Sequence, residues 1–435
     1  MTTLARTIVD RFWSEVTRVF GPSAAHALRL LSMGSPVLLA ERAGRIWAVS
    51  RSMLSAEAKP AKPVRLQVET TDICNLKCIM CARESLDGMD TRTMSFDEFV
   101  RLIDAARPFY ATLNGLGEPL NDKSIFEKLA ALHERNIFSS MPTNGTFVYG
   151  KRLEQLLEHF PDALTISIDG ATKASFEYVR KLANFEKIVA NVKKLVERRQ
   201  GKEGRAGVLR VLCALQRGNL FDFREMYRLI RKDLRVESFN LVPTFDYGGN
   251  GGGNEDVFPA RADVLRLHAE IDRAVAETSD EEEIAFYRQW GAVASGWLED
   301  HGVVAETNRH SCVVPWYSSY VDAKGRVYPC CYLLTTDHVM GNVNTEGFDA
   351  VWSGEKYQTF REHLVEDRPT LDGCATCPRN DDGLLERMGK YRPLFGLRAP
   401  KTSEGPTRRR VPAAPNGLVQ VRKKTAADAS ESNGV

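Results

Sequence analysis

Three cysteines lie within one short segment, TDICNLKCIMC at residues 71–81, as Cys74, Cys78 and Cys81 in the spacing C-x3-C-x2-C. Thiolates this close together can converge on one metal centre, and a loop of this length can wrap a four-iron cluster. Because three thiolates leave one iron without a protein ligand, the spacing predicts an open and therefore catalytic metal position. A zinc knuckle or a disulfide pair is the structural alternative, but no His or Cys follows within the loop to complete a zinc site.

The composition of the chain narrows its functional class. The 435 residues carry 59 Lys and Arg against 57 Asp and Glu, and this formal net charge of +2 is not the footprint of a nucleic-acid-binding protein. No apolar run is long enough to span a bilayer, and charged residues such as Asp10 and Arg11 interrupt any signal sequence near the N-terminus. We therefore expect a cytoplasmic protein without a transmembrane segment, whose nine cysteines are mainly metal ligands rather than disulfides.

Strand and helix patterns alternate through the middle of the chain. Ser95 and Glu98 have the spacing of a capping box at the start of the first helix of this region. Six strands are predicted, with helical segments between them, at 64–70, 110–115, 137–141, 163–168, 207–214 and 236–243. Six βα units in series imply a parallel sheet with right-handed crossovers, and that number suits an α/β fold of the partial, open (β/α)6 type, related to the TIM barrel. The cysteine loop follows the first strand, at the end of the sheet where such folds carry their chemistry.

The pattern divides the chain into five parts. Residues 1–60 predict an N-terminal helical extension packed on the core, with a leader-peptide docking module or a membrane-surface helix as alternatives. Pro60 and Pro63 indicate a linker before the core at 64–243. The other three parts are a glycine-rich loop and helical connector at 244–309, a small cysteine-rich domain at 310–380, and a disordered basic tail at 398–435.

Polar residues alternate with apolar ones along four of the predicted strands. Apolar faces should pack on helices, so the polar faces should line an interior cavity that suits a polar ligand. The residues on these polar faces are Gln67 and Glu69, Thr112 and Asn114, Thr165, Ser167 and Asp169, and Ser238 and Asn240.

Short motifs follow the second, third and fourth strands. The segment NGLGEP at 114–119 ends the second strand, and its glycines permit close backbone approach. TNG at 143–145 follows the third strand, SIDG at 167–170 ends the fourth, and Arg180 lies shortly beyond. Arg180 is either a surface helix residue or a ligand for a carboxylate, which a guanidinium can bind through two hydrogen bonds. Together with the cysteine loop, these motifs resemble the radical S-adenosylmethionine (SAM) superfamily.

The resemblance implies a specific chemistry. In that family SAM chelates the open iron of a 4Fe–4S cluster through its amino and carboxylate groups. One electron then cleaves SAM to methionine and a 5′-deoxyadenosyl radical, which abstracts hydrogen from the substrate. A flavodoxin- or ferredoxin-like electron donor is implied as a partner. The residues so assigned to SAM binding are Gly115, Gly117, Glu118, Asn144, Ser167, Asp169 and Arg180. The chain departs from the pattern at Met80, where the family often has an aromatic residue that stacks on adenine.

Five further cysteines lie between residues 310 and 380. The segment 321–330 predicts a β-hairpin that turns at Lys324-Gly325. The spacing resembles the SPASM/twitch extension of radical SAM enzymes. A full SPASM domain carries seven cysteines, so this region implies one auxiliary 4Fe–4S cluster, although a structural zinc would suit the same thiolates. The ligands implied are Cys312, Cys330, Cys374 and Cys377, with Cys331 as a packed or spare thiol.

The expected function is therefore the oxidation or cross-linking of a peptide or a small polar metabolite, with an auxiliary cluster taking part. A redox-neutral epimerisation or rearrangement is one alternative, in which Cys213 could donate hydrogen to a substrate radical. Cys213 shares the apolar face of the fifth strand with Leu209 and Val211, however, so a buried core thiol is the favoured interpretation. A non-catalytic iron–sulfur or zinc scaffold is the other alternative.

Overall fold

The computed structural model describes residues 36–85, 91–201, 204–236, 238–244, 257–303, 311–334, 337–371, 373–374, 377 and 381–398. The helix predicted near the N-terminus, most of the glycine-rich loop and nearly all of the basic tail lie outside the described residues.

A largely parallel sheet forms the centre of the molecule. The strands are β1 Arg65–Val68, β2 Lys77–Cys78, β3 Tyr110–Leu113, β4 Phe138–Thr143, β5 Ala163–Ser167, β6 Arg180–Lys181, β7 Val208–Leu215, β8 Ser238–Pro243, β9 Ser318–Val321, β10 Arg326–Tyr328 and β11 Gly341–Asn342. Within the described residues nine of them form one sheet, in the order β11-β10-β9-β1-β3-β4-β5-β7-β8, and β2 and β6 form a separate ribbon. The run from β1 to β8 is parallel throughout and consists of the six predicted strands, so the predicted α/β fold is confirmed.

Helices connect the parallel strands and cover the apolar face of the sheet. Ser95 Oγ accepts a hydrogen bond from Glu98 N at 3.2 Å and Glu98 Oε2 accepts one from Ser95 N at 2.9 Å, which confirms the predicted capping box. The described α-helices are Pro36–Ser55, Phe96–Ala106, Ile125–Glu134, Gly150–Glu158, Lys173–Val179, Phe185–Gln200, Phe223–Tyr227, Arg261–Ala276, Glu281–Val303, Val314–Tyr317, Val343–Glu346, Phe348–Trp352, Glu355–Asp367 and Asp382–Gly389. A π-helix, Arg228–Asp233, continues the seventh of these. None of the described helices is long and apolar enough to cross a membrane.

The two faces of the sheet differ as the alternation predicts. Leu66 and Val68 of β1 are fully buried within the hydrophobic core. On the opposite face, Gln67 is aligned with Thr112 of β3 and with Tyr320 of β9. Polar side chains from neighbouring strands therefore share the interior face.

The cysteine-rich C-terminal region continues the same sheet. β9 pairs in parallel with β1, and β10 pairs antiparallel with β9 and β11. The hairpin between β9 and β10 turns at Lys324-Gly325, where Gly325 adopts a φ of +81°, so the predicted hairpin is confirmed. β1, the strand that leads into the cysteine loop, is therefore flanked by β3 on one side and by the C-terminal hairpin on the other.

The segment predicted as a linker is packed rather than free. Arg361 Nη1 donates a hydrogen bond to Ala58 O at 3.0 Å, and Trp352 Nε1 donates one to Ala61 O at 3.2 Å. Pro60 and Pro63 are buried. The prolines indicate a linker, but two of the segment's carbonyl groups accept hydrogen bonds from side chains of the C-terminal region, which hold it in place.

Candidate active site

The cysteine loop follows β1 and is held by the short ribbon of β2 and β6. Cys78 lies opposite Arg180 in this antiparallel pair, and Lys77 lies opposite Lys181. Ile79 N donates to Val179 O at 3.0 Å, and Cys81 N donates to Cys78 O at 3.0 Å. Cys74, Cys78 and Cys81 are each half-buried and free of disulfides. The three cysteines therefore lie on one backbone-bonded segment.

Arg180 places a buried positive charge beside this loop. It is 8% exposed, its Nη2 lies 2.6 Å from Asp169 Oδ2, and its Nη1 donates to Cys78 Sγ at 3.8 Å. Burial lowers the pKa of Arg180, but the negative charges of Asp169 and Cys78 outweigh burial and hold the pKa above its usual value. Burial raises the pKa of the Cys78 thiol to about 12, although Arg180 opposes this shift. The guanidinium is thus positioned to favour negative charge at Cys78.

Asp169 joins the carboxyl ends of β5 and β7. It is fully buried, its Oδ1 accepts from Ala214 N at 2.7 Å, and its carbonyl oxygen accepts from Asn219 Nδ2 at 3.1 Å. The structure therefore brings Asp169 and Arg180, which belong to separate motifs, into one buried ion pair. Ser167 is half-buried at the end of β5. The assignment of these three residues to SAM contacts stays a prediction.

Glu118 ties the glycine motif to the end of β4. It is 3% exposed, and its carboxylate accepts from Thr143 Oγ1 at 2.6 Å, Asn144 N at 2.8 Å and Leu120 N at 3.1 Å. Burial raises the pKa of Glu118, although these hydrogen bonds oppose the shift. Asn144 Nδ2 donates to Asn75 Oδ1 at 3.0 Å, so the network reaches the cysteine loop.

Gly115 and Gly117 are points of close packing. A Cβ atom on Gly117 would lie 2.7 Å from the Thr71 carbonyl carbon and 2.9 Å from the Asp72 carbonyl carbon. A Cβ atom on Gly115 would lie 2.5 Å from Glu69 Cγ. The glycines therefore let the motif approach β1 and the cysteine loop closely, in addition to any contact with a ligand.

Glu69 is a buried residue that the sequence predicts on the interior face, without a specific role. Its Oε1 accepts from Leu116 N in the glycine motif at 2.5 Å, and its Oε2 accepts from Ala323 N in the C-terminal hairpin at 3.3 Å. Burial raises the pKa of Glu69 to about 7, although both backbone hydrogen bonds oppose the shift. The signal available from sequence was a carboxylate on the interior face at the end of the first strand.

The C-terminal cysteines lie near one another. Burial raises the pKa of the Cys330 thiol, and its neighbours Cys331, Cys312, Cys374 and Cys377 raise it further, so these sulfurs lie within electrostatic range of Cys330. Cys377 N donates to Cys374 O at 3.4 Å. In the part of the chain that the structure describes, no group of three or more His, Cys, Asp or Glu residues is arranged to hold a single metal ion. The ligand set of the auxiliary cluster, with Cys331 outside it, stays a prediction.

Comparison with known proteins places this geometry in a family. Residues 68–230 match the radical SAM superfamily, and residues 312–378 match SPASM, an iron–sulfur cluster-binding domain. The two matched regions together cover more than half of the chain and contain the cysteine loop and the four predicted auxiliary ligands. The chain belongs to the radical SAM superfamily.

The proteins similar to this chain are named for different reactions. The radical SAM chain is 25% identical over 325 residues to the AdoMet-dependent heme synthase of Methanosarcina barkeri, covering 71% of this chain and 86% of that protein. It is 24% identical over 341 residues to the mycofactocin maturase MftC of Mycobacterium ulcerans, covering 77% and 85%. The structure of Streptococcus suis SuiB bound to precursor peptide SuiA aligns with a TM-score of 0.53 at 15% identity, over 82% of this chain and 76% of that one, which shows the shared fold alone.

The radical SAM match implies a 4Fe–4S cluster and SAM, and the SPASM match implies auxiliary iron–sulfur clusters. The residues of the cysteine loop and the interior face fit the first two of these groups. Three thiols on one loop, with a guanidinium against Cys78, form a suitable donor set for an anionic cluster. Buried polar atoms without a hydrogen-bond partner also lie on the interior face or at the carboxyl ends of its strands. They are Thr70 Oγ1, Thr112 Oγ1, Asn114 Oδ1 and Gln216 Oε1. Such atoms are costly when left unpaired, and a ligand as polar as SAM could satisfy some of them.

Cys213 lies in the hydrophobic core of this radical SAM fold. It is fully buried, burial raises the pKa of its thiol, and its Sγ accepts a hydrogen bond from Asn219 Nδ2 at 3.6 Å. Arg210, on the opposite face of β7, is aligned with Thr165 and Ser238 and is half-buried on the interior side. The strand therefore presents Arg210, and not Cys213, to the interior.

Proposed function

We propose that this radical SAM enzyme oxidises or cross-links a peptide, and that its auxiliary centre takes up the electron left on the substrate. The observation that carries the proposal is the continuity of the sheet. β9 of the cysteine-rich region pairs directly with β1, whose carboxyl end leads into the catalytic cysteine loop. An auxiliary cluster built on this hairpin would be fixed relative to the interior cavity rather than tethered by a flexible linker.

The chain's own side chains suit this chemistry. When bound, the cluster at Cys74, Cys78 and Cys81 and SAM supply the hydrogen-abstracting step. Asp169 holds Arg180 against Cys78, and Glu118 holds the glycine motif beside the loop. In an oxidation the substrate loses one hydrogen atom, which ends in 5′-deoxyadenosine, one proton, which passes to water, and one electron, which the auxiliary centre takes up.

A peptide substrate is supported by two relatives. SuiB is seen bound to a precursor peptide, and MftC is a mycofactocin maturase. The similarity to a heme synthase favours a second candidate, a small polar metabolite, and Arg210 on the interior face would suit an anionic group on it. A redox-neutral epimerisation with Cys213 as hydrogen donor is disfavoured by the burial of that thiol.

The test begins with anaerobic reconstitution of the wild type and of a Cys74/Cys78/Cys81→Ala variant. We expect about eight irons per wild-type chain, about four in the variant, and 5′-deoxyadenosine from the wild type only. About four irons with SAM cleavage would remove the auxiliary cluster from the proposal.

The reaction type is then read from mass. Peptide and small-metabolite fractions of the source cells would be assayed separately for stimulation of 5′-deoxyadenosine formation in D2O. An oxidation or cross-link lowers the product mass by two hydrogens, whereas an epimerisation exchanges one hydrogen for deuterium. Stimulation by the small-metabolite fraction alone would favour the second candidate, and deuterium incorporation without hydrogen loss would refute oxidation.

A further inference from the structure

The ribbon of β2 and β6 has an outer face with no part in the chemistry described above. Cys78 and Arg180 share its inner side, where Arg180 Nη1 reaches Cys78 Sγ. Lys77 and Lys181 alternate with them and are exposed. Because consecutive Cα atoms are about 3.8 Å apart, the outer face lies one residue from a predicted cluster ligand.

Two features of this face work against stability. Lys77 and Lys181 are directly opposite one another in the antiparallel pair, where like charges destabilise a sheet. Neither ammonium group has a hydrogen-bond or ion-pair partner among the described residues. Leu182, the next residue, is 73% exposed at a φ of +72°, a conformation that residues other than glycine seldom adopt. The facing lysines and the exposed Leu182 therefore do not stabilise the folded chain itself.

The neighbouring carboxylates do not neutralise the lysines. Glu177 and Glu186 on the flanking helices both bind Lys173, at 3.1 Å and 3.0 Å. Glu177 also accepts a hydrogen bond from Phe185 N at 3.1 Å. Lys77 and Lys181 therefore leave uncompensated positive charge around an exposed apolar residue.

We propose that this lysine ribbon, defined as Lys77, Lys181 and Leu182, is the docking surface for a small acidic one-electron carrier protein. The inference rests on the proposed function, in which the cluster at the cysteine loop must gain one electron for each SAM cleaved. One electron leaves the carrier and reduces that cluster by one electron, and no atom or proton is transferred. An apolar centre with a charged rim is the usual anatomy of a protein interface, and electron-transfer encounters are at the small end of the size range. The lysines steer an acidic partner, so docking weakens as salt rises.

The experiment compares two charge-reversed variants of the reconstituted enzyme. K77E/K181E reverses the charge of the lysine ribbon. The control K193E/K194E makes the same change in net charge at two exposed lysines of helix Phe185–Gln200. Each is reduced either with dithionite or with a purified acidic flavodoxin, and 5′-deoxyadenosine is measured. For K77E/K181E we expect the ratio of the flavodoxin-driven rate to the dithionite-driven rate to fall about tenfold or more at low salt. The control should keep both rates.

A second readout needs no turnover. Carbodiimide joins lysine amines to carboxylates that they touch, so the flavodoxin mixed with wild-type enzyme should cross-link through Lys77 or Lys181, and less so as salt rises. Cross-links confined to other lysines, or an unchanged flavodoxin-driven rate in K77E/K181E, would overturn the proposal. If dithionite yields no 5′-deoxyadenosine from the wild type, the proposed function fails while the cross-linking result still decides the docking surface.

K181E alone separates docking from damage to the cysteine loop, because Lys181 lies outside that loop. A loss confined to the flavodoxin-driven rate, with wild-type iron content, supports the docking surface. An equal loss of both rates in K181E would show that the ribbon is structural and would overturn it.

Discussion

Replacing Gly117 by alanine tests whether the glycine motif positions the cysteine loop. The new Cβ would lie 2.7 Å from the Thr71 carbonyl carbon, whereas ordinary contacts begin at 3.4 Å, so the two backbones must separate by about 0.7 Å or more. The obstacle is main chain on both sides and cannot rotate away. Thr71 is three residues before Cys74, so the displacement is passed directly to the first thiol of the loop.

The expected effect has two parts. Overpacking of this kind costs roughly 1–3 kcal/mol of folding free energy. A misplacement of the order of 1 Å at a reacting centre can lower a rate by about 100-fold. We therefore expect G117A to bind SAM more weakly, to retain less iron at the cysteine loop, and to form 5′-deoxyadenosine at a rate reduced by one to two orders of magnitude, ~10- to 100-fold.

The assay measures the SAM dissociation constant, iron per chain, the melting temperature and the dithionite-driven rate of 5′-deoxyadenosine formation. Gly44→Ala is the matched control, since nothing lies within 4 Å of a Cβ at that helical position. G44A should leave the SAM measurements unchanged and stabilise the helix by up to about 1 kcal/mol. Wild-type SAM affinity and rate in G117A would refute the close-packing argument, as would an equal loss in G44A.

Three further substitutions test individual contacts. Burial raises the pKa of Glu69 from 4.5 to about 7, so its carboxyl group favours the fold when protonated, and this contribution is lost as pH rises through 7. Between pH 5 and 8 the wild type should consequently lose more stability than E69Q, with a difference of at most roughly 3 kcal/mol, and its melting temperature should fall further. Parallel pH profiles of the two melting temperatures would contradict this. R180M removes the partner of buried Asp169 and the charge beside Cys78. Iron content should therefore fall, and the stability measured by denaturant unfolding should fall by about 3–5 kcal/mol. Wild-type iron content and stability in R180M would contradict the role given to the buried pair. C213A should keep the wild-type rates of SAM cleavage and substrate turnover and lose about 1 kcal/mol of stability. A loss of product without a loss of SAM cleavage would instead support Cys213 as the hydrogen donor.

The sequence predicts those parts of this structure that depend on local pattern. The succession of strand and helix patterns located all six parallel strands, and the Ser95–Glu98 spacing located the start of a helix. The Lys324-Gly325 turn was predictable because a positive φ there favours glycine. Each of these signals is contained within a few residues.

Contacts between distant segments carried no such signal. The ribbon of β2 and β6 joins two-residue strands about a hundred positions apart, too short for any periodicity, yet it sets Arg180 against Cys78. The sequence leaves Arg180 either as a surface helix residue or as a ligand for the SAM carboxylate, and in the structure it is buried and paired with Asp169 of the chain itself. The packed state of the segment predicted as a linker also depends on Arg361 and Trp352, some three hundred residues away.

The division between core and C-terminal domain illustrates the limit of a pattern that is read along the chain. In a sheet that ended at β1, this strand would be an edge with unpaired backbone groups beside the cysteine loop. β9 covers that edge, and Glu69 at the end of β1 then binds Leu116 of the glycine motif and Ala323 of the hairpin at once. A displacement of the hairpin must either carry the glycine motif with it or break one of these hydrogen bonds. The boundary predicted at residue 310 from the change in cysteine content is therefore not a boundary of the sheet, and Glu69 fixes the glycine motif and the C-terminal hairpin to each other.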